Sequence, residues 1–236
     1  MTETLTRTAA SAALEGTAWR YLLGTIVTSV DVHSVLQAAQ VAQAVVDACA
    51  ADADGHLRID LRPSRVELSL QTAAVAGLTV TDVELARRID AAVAALGLTT
   101  TGVQTDGDRR SVQMLEIAID ALDIAAIRPF WKAVMGYADE PGRDGPTDAV
   151  VDPAWQGPAI WFQQMTEPRP QRNRIHFDIT VPHDEADARV RAALTAGGSL
   201  VSDDAARSFW ILADAEGNEI CVCTWQDREG PQPSDD

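Results

Sequence analysis

From Ile175 onward apolar and polar residues alternate: Ile175, Phe177, Ile179 and Val181 are interleaved with His176, Asp178 and Thr180. That period of two predicts a strand with one apolar and one polar face. A helix is expected from about Glu185 to Ala196, entered through Pro182 and acidic residues and stopped by Gly197 and Gly198. Ser199 to Val201, Phe209 to Leu212 and Glu219 to Trp225 read as three further strands, the last two joined by the turn Asp214-Ala215-Glu216-Gly217-Asn218.

The same order of elements occurs once earlier. Leu115 to Asp120 alternates as a strand, Ile124 to Met135 is a helix closed by Gly136, and Ala149–Val151 and Ala159–Met165 are strands. Laying Glu116 over His176 brings Gly136 within one residue of Gly197, so the C-terminal half is an internal repeat of roughly sixty residues.

The N-terminal half has a different rhythm. Thr8 to Leu14 predicts a short helix, Trp19 to Ser29 one strand, and Val35 to Cys49 a helix with Val35, Leu36, Ala39, Ala42, Val45, Val46 and Cys49 as its apolar stripe. Leu57–Leu61 and Val66–Thr72 alternate as strands around Arg62-Pro63-Ser64. Thr81 with Glu84 has capping-box spacing and opens a helix that ends at Gly97. Thr99 to Ser111 lacks hydrophobic periodicity and reads as a linker. The expected organisation is a domain over 1–98, a linker over 99–111, a second domain over 112–228 and a disordered tail over 229–236.

Composition narrows the partners. The 236 residues carry a net charge of −16, with residues 1–104 at net −4 and residues 105–236 at net −12. An acidic chain is not drawn to nucleic acid or to an anionic membrane surface, which leaves small molecules and other proteins. Cys49, Cys221 and Cys223 do not form a disulfide framework; the last two lie two apart on one strand, a poor geometry for bridging. With no apolar signal core at the N-terminus and no run of about eighteen apolar residues, a soluble, cytoplasmic protein is expected.

The segments ALDIAAIRPFW, PAIWFQQM, RNRIHFDITV and ADAEGNEICVCTW resemble the glyoxalase-like branch of the vicinal oxygen chelate superfamily. That resemblance implies two βαβββ modules whose curved sheets enclose a cleft. Residues 10–98 resemble the pterin-4a-carbinolamine dehydratase family through Gly16-Thr17-Ala18-Trp19, Val66–Thr72 and Gly77-Leu78-Thr79-Val80-Thr81-Asp82. This one implies an antiparallel sheet with helices on one face and assembly into oligomers. Both halves are therefore of the α+β class.

Candidate chemistry follows from matching positions. In the dehydratase family three histidines line the pterin site; here the matching positions hold Gly55, His56 and Ala73 or Ala74, so His56 and Asp82 are the catalytic candidates that remain. Carbinolamine dehydration moves one proton onto a leaving hydroxyl and takes another from nitrogen, which normally needs two poised groups. In the superfamily of the other half, the metal-ligand positions fall on Glu116, Gln163, His176 and Cys221, with Glu116 and His176 the better donors. A thiolate at Cys221 suits zinc and argues against an oxygen-rich iron or manganese centre; the alternative is a small buried hydrophobe. Glu116 and His176 can equally pair by a charge-assisted hydrogen bond across the cleft. Trp161 and Gln163 share strand parity and, with Asp178, complete the expected pocket.

Two classes of function are consistent with these residues. One is a metal-free small-molecule binding protein, possible as a homo-oligomer, whose dehydratase-like domain has lost activity. The other is an enzyme: a metal-assisted lyase, isomerase or dioxygenase using zinc, iron or nickel, or a 4a-hydroxytetrahydropterin dehydratase. The incomplete ligand set favours the first.

Overall fold

The computed structural model describes residues 3–104, 110–168 and 175–227; the tail expected to be disordered and Arg174 lie outside them. The chain divides into two compact units, residues 1–114 and 115–236.

In the first unit, α1 (Arg7–Ala13) precedes β1 (Arg20–Leu22), β2 (Thr25–Asp31), α2 (Val35–Cys49), the single turn α3 (Ala53–His56), β3 (Leu57–Leu61), β4 (Arg65–Leu70) and α4 (Val80–Ala95). The short strands β5 (Thr100–Thr101), β6 (Val103–Gln104) and β7 (Arg110–Ser111) follow. The sheet is antiparallel in the order β1-β2-β4-β3, and β5 also pairs with β2. The stretch expected to be a linker is thus partly built into this sheet, because Thr100 and Thr101 satisfy their backbone groups against Val30 and Ser29.

Two sequence expectations are corrected here. Trp19–Ser29 is a hairpin and not one strand: Leu23 and Gly24 both take positive φ, the conformation of a two-residue hairpin turn. In α2 the buried residues are Ala38, Val41, Val45 and Cys49, whereas Val35, Leu36 and Val46 are exposed. A helix this rich in alanine and valine offers more than one apolar stripe, and packing against β3, β4 and α4 selects the one that turns inward. Val66, Leu68 and Leu70 of β4 bury every second side chain into the same core, beside Trp19, Leu85 and Ile89.

The second unit holds β8 (Glu116–Ala121), α5 (Ile124–Met135), β9 (Ala138–Asp139), β10 (Val150–Val151) and β11 (Ala159–Gln164), then β12 (Phe177–Thr180), α6 (Ala186–Thr195), β13 (Ser199–Ser202), β14 (Phe209–Ala213) and β15 (Glu219–Cys223). Two four-stranded sheets result, β8-β11-β10-β9 and β12-β15-β14-β13, each with its first and last strands parallel. They are the two βαβββ modules that the repeat predicted.

One core serves both modules. Ile119, Ala121, Ile160 and Phe162 pack with Ile127, Phe130, Trp131 and Val134 of α5 and with Ala193, Leu212, Ile220 and Val222 of the second module. Further ties cross between them. Glu216 accepts from the backbone N–H groups of Leu122 (2.9 Å) and Asp123 (2.7 Å), where a carboxylate complements the start of α5. Trp131 Nε1 donates to buried Asp214 (2.9 Å), and Arg189 donates to the carbonyl of Val134 (3.0 Å). At Gly198 a Cβ would lie 2.3 Å from Cδ2 of Phe130, so only glycine permits this approach.

Candidate functional site

His56 and Asp82 meet in the first unit. His56 ends α3, and Asp82 lies in the first turn of α4, where Thr79 is the N-cap and forms a capping box with Asp82. This moves the capping box two residues ahead of the expected Thr81–Glu84 pair. Asp82 is 0% exposed, and its Oδ2 accepts from Thr79 N (2.7 Å), Thr72 Oγ1 (2.7 Å) and Thr79 Oγ1 (3.1 Å). Its Oδ1 faces His56 Nδ1 at 2.8 Å.

A carboxylate only accepts, so His56 Nδ1 carries the hydrogen and Nε2 is left as the basic nitrogen. The His56 side chain is 16% exposed, which gives it access to solvent while Asp82 fixes its ring. Thr72 Oγ1 also lies 3.3 Å from His56 Nδ1 and 2.9 Å from Thr79 Oγ1, closing the network. The threonines were not singled out in the sequence; their signal is that Thr72 and Thr79 flank the Gly77 turn, with Thr79 three residues before Asp82. One residue before Thr72, buried Gln71 donates to the carbonyl of Gly24 (3.1 Å), and its Oε1 has no hydrogen-bond partner. Ala73 or Ala74 stands where a further histidine is implied by the resemblance, and His56 is the one imidazole in this network among the described residues.

The second unit distributes its candidates over sheet faces turned away from the core. On β8 and β11, Ile117, Ile119, Ile160 and Phe162 face inward, while Glu116, Trp161 and Gln163 are exposed. On β12 and β15, Phe177, Ile179, Ile220 and Val222 face inward, while Asp178 shares the other side with Cys221 and His176, just ahead of β12, is exposed. Glu140 was missed by sequence reasoning: burial raises its pKa, and the charges of Asp148 and Glu116 raise it further against the opposing pull of Arg143. Nothing in the turn around Pro141 marks it in the sequence.

His176, Asp178 and Cys221 come together, with one potential ligand atom from each lying within 4.8 Å of the others. Strand register explains the grouping. Asp178 is the direct neighbour of Cys221 across the parallel β12–β15 pair, and His176 lies two residues before Asp178, just ahead of the strand. His176 Nε2 is 3.5 Å from Asp178 Oδ1, with side chains 61% and 57% exposed, and Cys221 is 8% exposed. Burial, followed by the charge of Asp178 and a hydrogen bond to it, pushes the Cys221 thiol up to about 11, so it is protonated at neutral pH. Neither Cys221 nor Cys223 is in a disulfide bond.

The ion-pair partner of His176 among the described residues is Asp178, two residues on in sequence, and Glu116 belongs to the other sheet. Of the positions the resemblance implies, His176 and Cys221 come together with Asp178, and Glu116 is not in that group. Elsewhere in this unit, Trp131 is buried, while Trp155 and His183 are exposed and His183 accepts from Trp225 Nε1 (3.2 Å).

Comparison with known proteins agrees with the division of the chain. Residues 3–92 match the family described as pterin 4 alpha carbinolamine dehydratase, and residues 116–223 match the glyoxalase-like domain family. Among curated proteins none matches. A transcriptional coactivator/pterin dehydratase from Brucella melitensis is 26% identical over 38% of this chain and 98% of its own, with a TM-score of 0.34. The fosfomycin resistance protein FosX from Mesorhizobium loti is 8% identical over 48% and 92%, with a TM-score of 0.38. A glyoxalase/bleomycin resistance protein/dioxygenase family enzyme from Burkholderia phytofirmans is 16% identical over 46% and 95%, with a TM-score of 0.34. No helix among the described residues is long and apolar enough to cross a membrane.

Proposed function

From a chain that joins a pterin-dehydratase-like domain to a glyoxalase-like one, we propose a small-molecule binding protein whose ligand is held by the C-terminal domain. The observation that carries this reading is the division of each C-terminal sheet into an apolar face closed by helices and an opposite face bearing Glu116, Trp161, Gln163, His176 and Asp178. Trp161 offers a flat apolar surface and Gln163 an amide that both donates and accepts, a combination suited to a planar ligand with polar edges. The N-terminal domain on this reading keeps the fold and has lost the dehydratase chemistry, since one histidine stands where three are implied.

Screening planar heteroaromatic compounds against the full-length protein by ligand-observed nuclear magnetic resonance tests the proposal. Binding is expected to weaken in Trp161→Ala and Gln163→Ala and to persist in His56→Ala. Hits indifferent to both C-terminal substitutions would remove the basis for the assignment.

A second reading rests on the His56–Asp82 contact. A ring oriented through Nδ1 by a buried carboxylate, with Nε2 free, is arranged for general acid–base work, and its substrate would be a 4a-hydroxytetrahydropterin. In that reading His56→Ala abolishes dehydration of the carbinolamine, measured against the spontaneous rate. Equal rates for the wild-type protein and for buffer alone would rule it out.

A further inference from the structure

We propose that the N-terminal domain holds a zwitterionic small molecule, of the free α-amino acid class, where α1 turns into β1. A cavity of about 470 Å³ opens there, with Ser11, Leu14, Glu15, Thr17, Arg20 and Tyr21 on its wall. Sites for small molecules commonly span about 300–1,000 Å³. The cavity shares no residue with the His56–Asp82 network or with the polar sheet faces of the C-terminal unit. It stands independently of both readings given above.

The charges on the wall select the ligand. Glu15 and Arg20 are both exposed, and among the described residues no ion pair or hydrogen bond engages the Glu15 carboxylate. Arg20 is held from one side: its Nη1 donates to the carbonyls of Thr17 (2.8 Å) and Trp19 (2.9 Å). Gly102 packs against the same guanidinium, where a Cβ would lie 3.1 Å from Arg20 Cζ and 2.8 Å from the carbonyl of Ala18. Nε and Nη2 share no hydrogen bond with the described residues, and that edge of a guanidinium can bind a carboxylate through two parallel bonds. A plain anion at Arg20 meets repulsion from Glu15, and a plain cation at Glu15 meets repulsion from Arg20. A molecule carrying an ammonium and a carboxylate a few bonds apart satisfies both. The turn between the two charges is set by Thr17, whose hydroxyl donates to the carbonyl of Leu14 (2.7 Å) and accepts from Trp19 N (3.2 Å). The hydroxyls of Ser11 and Tyr21, without partners among the described residues, add polar contacts. Leu14 and the Tyr21 ring offer apolar wall for the side chain of the ligand.

Saturation-transfer nuclear magnetic resonance on the full-length protein tests this. The probes are L-leucine, L-methionine and L-phenylalanine, with the N-acetyl and carboxamide derivatives of each as comparators. At least one free amino acid is expected to bind at low-millimolar concentration. Removing the ammonium charge by acetylation, or the carboxylate by amidation, should each weaken that binding about tenfold or more. Glu15→Gln and Arg20→Gln should weaken the free amino acid to a similar degree. Acetylation should then cost less in Glu15→Gln than in the wild-type protein, because the interaction it removes is already gone. The comparators act on the unaltered protein, so the proposal stays testable if Arg20→Gln fails to fold by circular dichroism. Silence from all three amino acids would overturn the site. Binding indifferent to both charges of the ligand would do the same, as would binding that is lost in Trp161→Ala or His56→Ala and survives Glu15→Gln.

Discussion

At Asp82 a single carboxylate serves a helix start and an imidazole at once. Its two oxygens are assigned separately: Oδ2 to Thr79 and Thr72, Oδ1 to His56. Removing it leaves buried donors without partners, so Asp82→Ala should lower stability by about 1–3 kcal/mol in chemical denaturation. His56→Ala, at a partly exposed position, should cost less than that. Asp139 provides a pH test. Hydrogen bonds from Lys132 and Arg128, each at 2.5 Å, hold its carboxyl below the ordinary value of 3.8. A depressed folded pKa contributes stability that is present above the unfolded value and is lost as pH falls through the folded one. The stability difference between the wild-type protein and Asp139→Asn should therefore be constant near neutrality and shrink once pH drops below about 4, measured by denaturant midpoints across that range. The short spacing of Arg128, Lys132 and Asp139 along the chain made none of this legible, because the three meet only after the chain turns at Gly136.

Elements were read well where one pattern dominated and poorly where two were equivalent. Val35–Cys49 is a helix in both sequence and structure, yet of its expected inward stripe only Val45 and Cys49 are buried, and Ala38 and Val41 complete the inward face. The contrast is measurable: Val41→Ala should destabilise by about 1–2 kcal/mol through lost burial and a cavity, whereas Leu36→Ala, at a side chain 72% exposed, should change stability by less than about 0.5 kcal/mol. The start of α4 was ambiguous for a similar reason. Thr79 with Asp82 and Thr81 with Glu84 have the same spacing, and the hydroxyl of Thr72, supplied by a different element, favours the first. Trp19–Ser29 lacked a visible break because Leu23 is not a residue that advertises positive φ.

In the whole molecule, the turn Asp214–Asn218 joins the two modules as well as two strands. Glu216→Ala should expose the start of α5 and lower the stability of the C-terminal unit by about 0.5–2 kcal/mol, followed by thermal unfolding. Gly198→Ala should be at least as damaging, since Phe130 must move to admit a methyl group. The duplication, the α+β class and the longer strands and helices were set by local periodicity and turn residues, which short stretches of sequence carry by themselves, whereas the short β5, β6, β7 and β9 and the single turn α3 were not. Glu116, Gln163, His176 and Cys221 were named by the family resemblance, and Trp161 by the strand parity it shares with Gln163. Which of them become neighbours was a matter of strand register and sheet membership: Asp178 lies beside Cys221 because β12 and β15 run parallel in that register, and Glu116 lies in another sheet. Register joins residues about forty positions apart, and it is fixed by how two apolar faces fill one core, a condition no single segment contains.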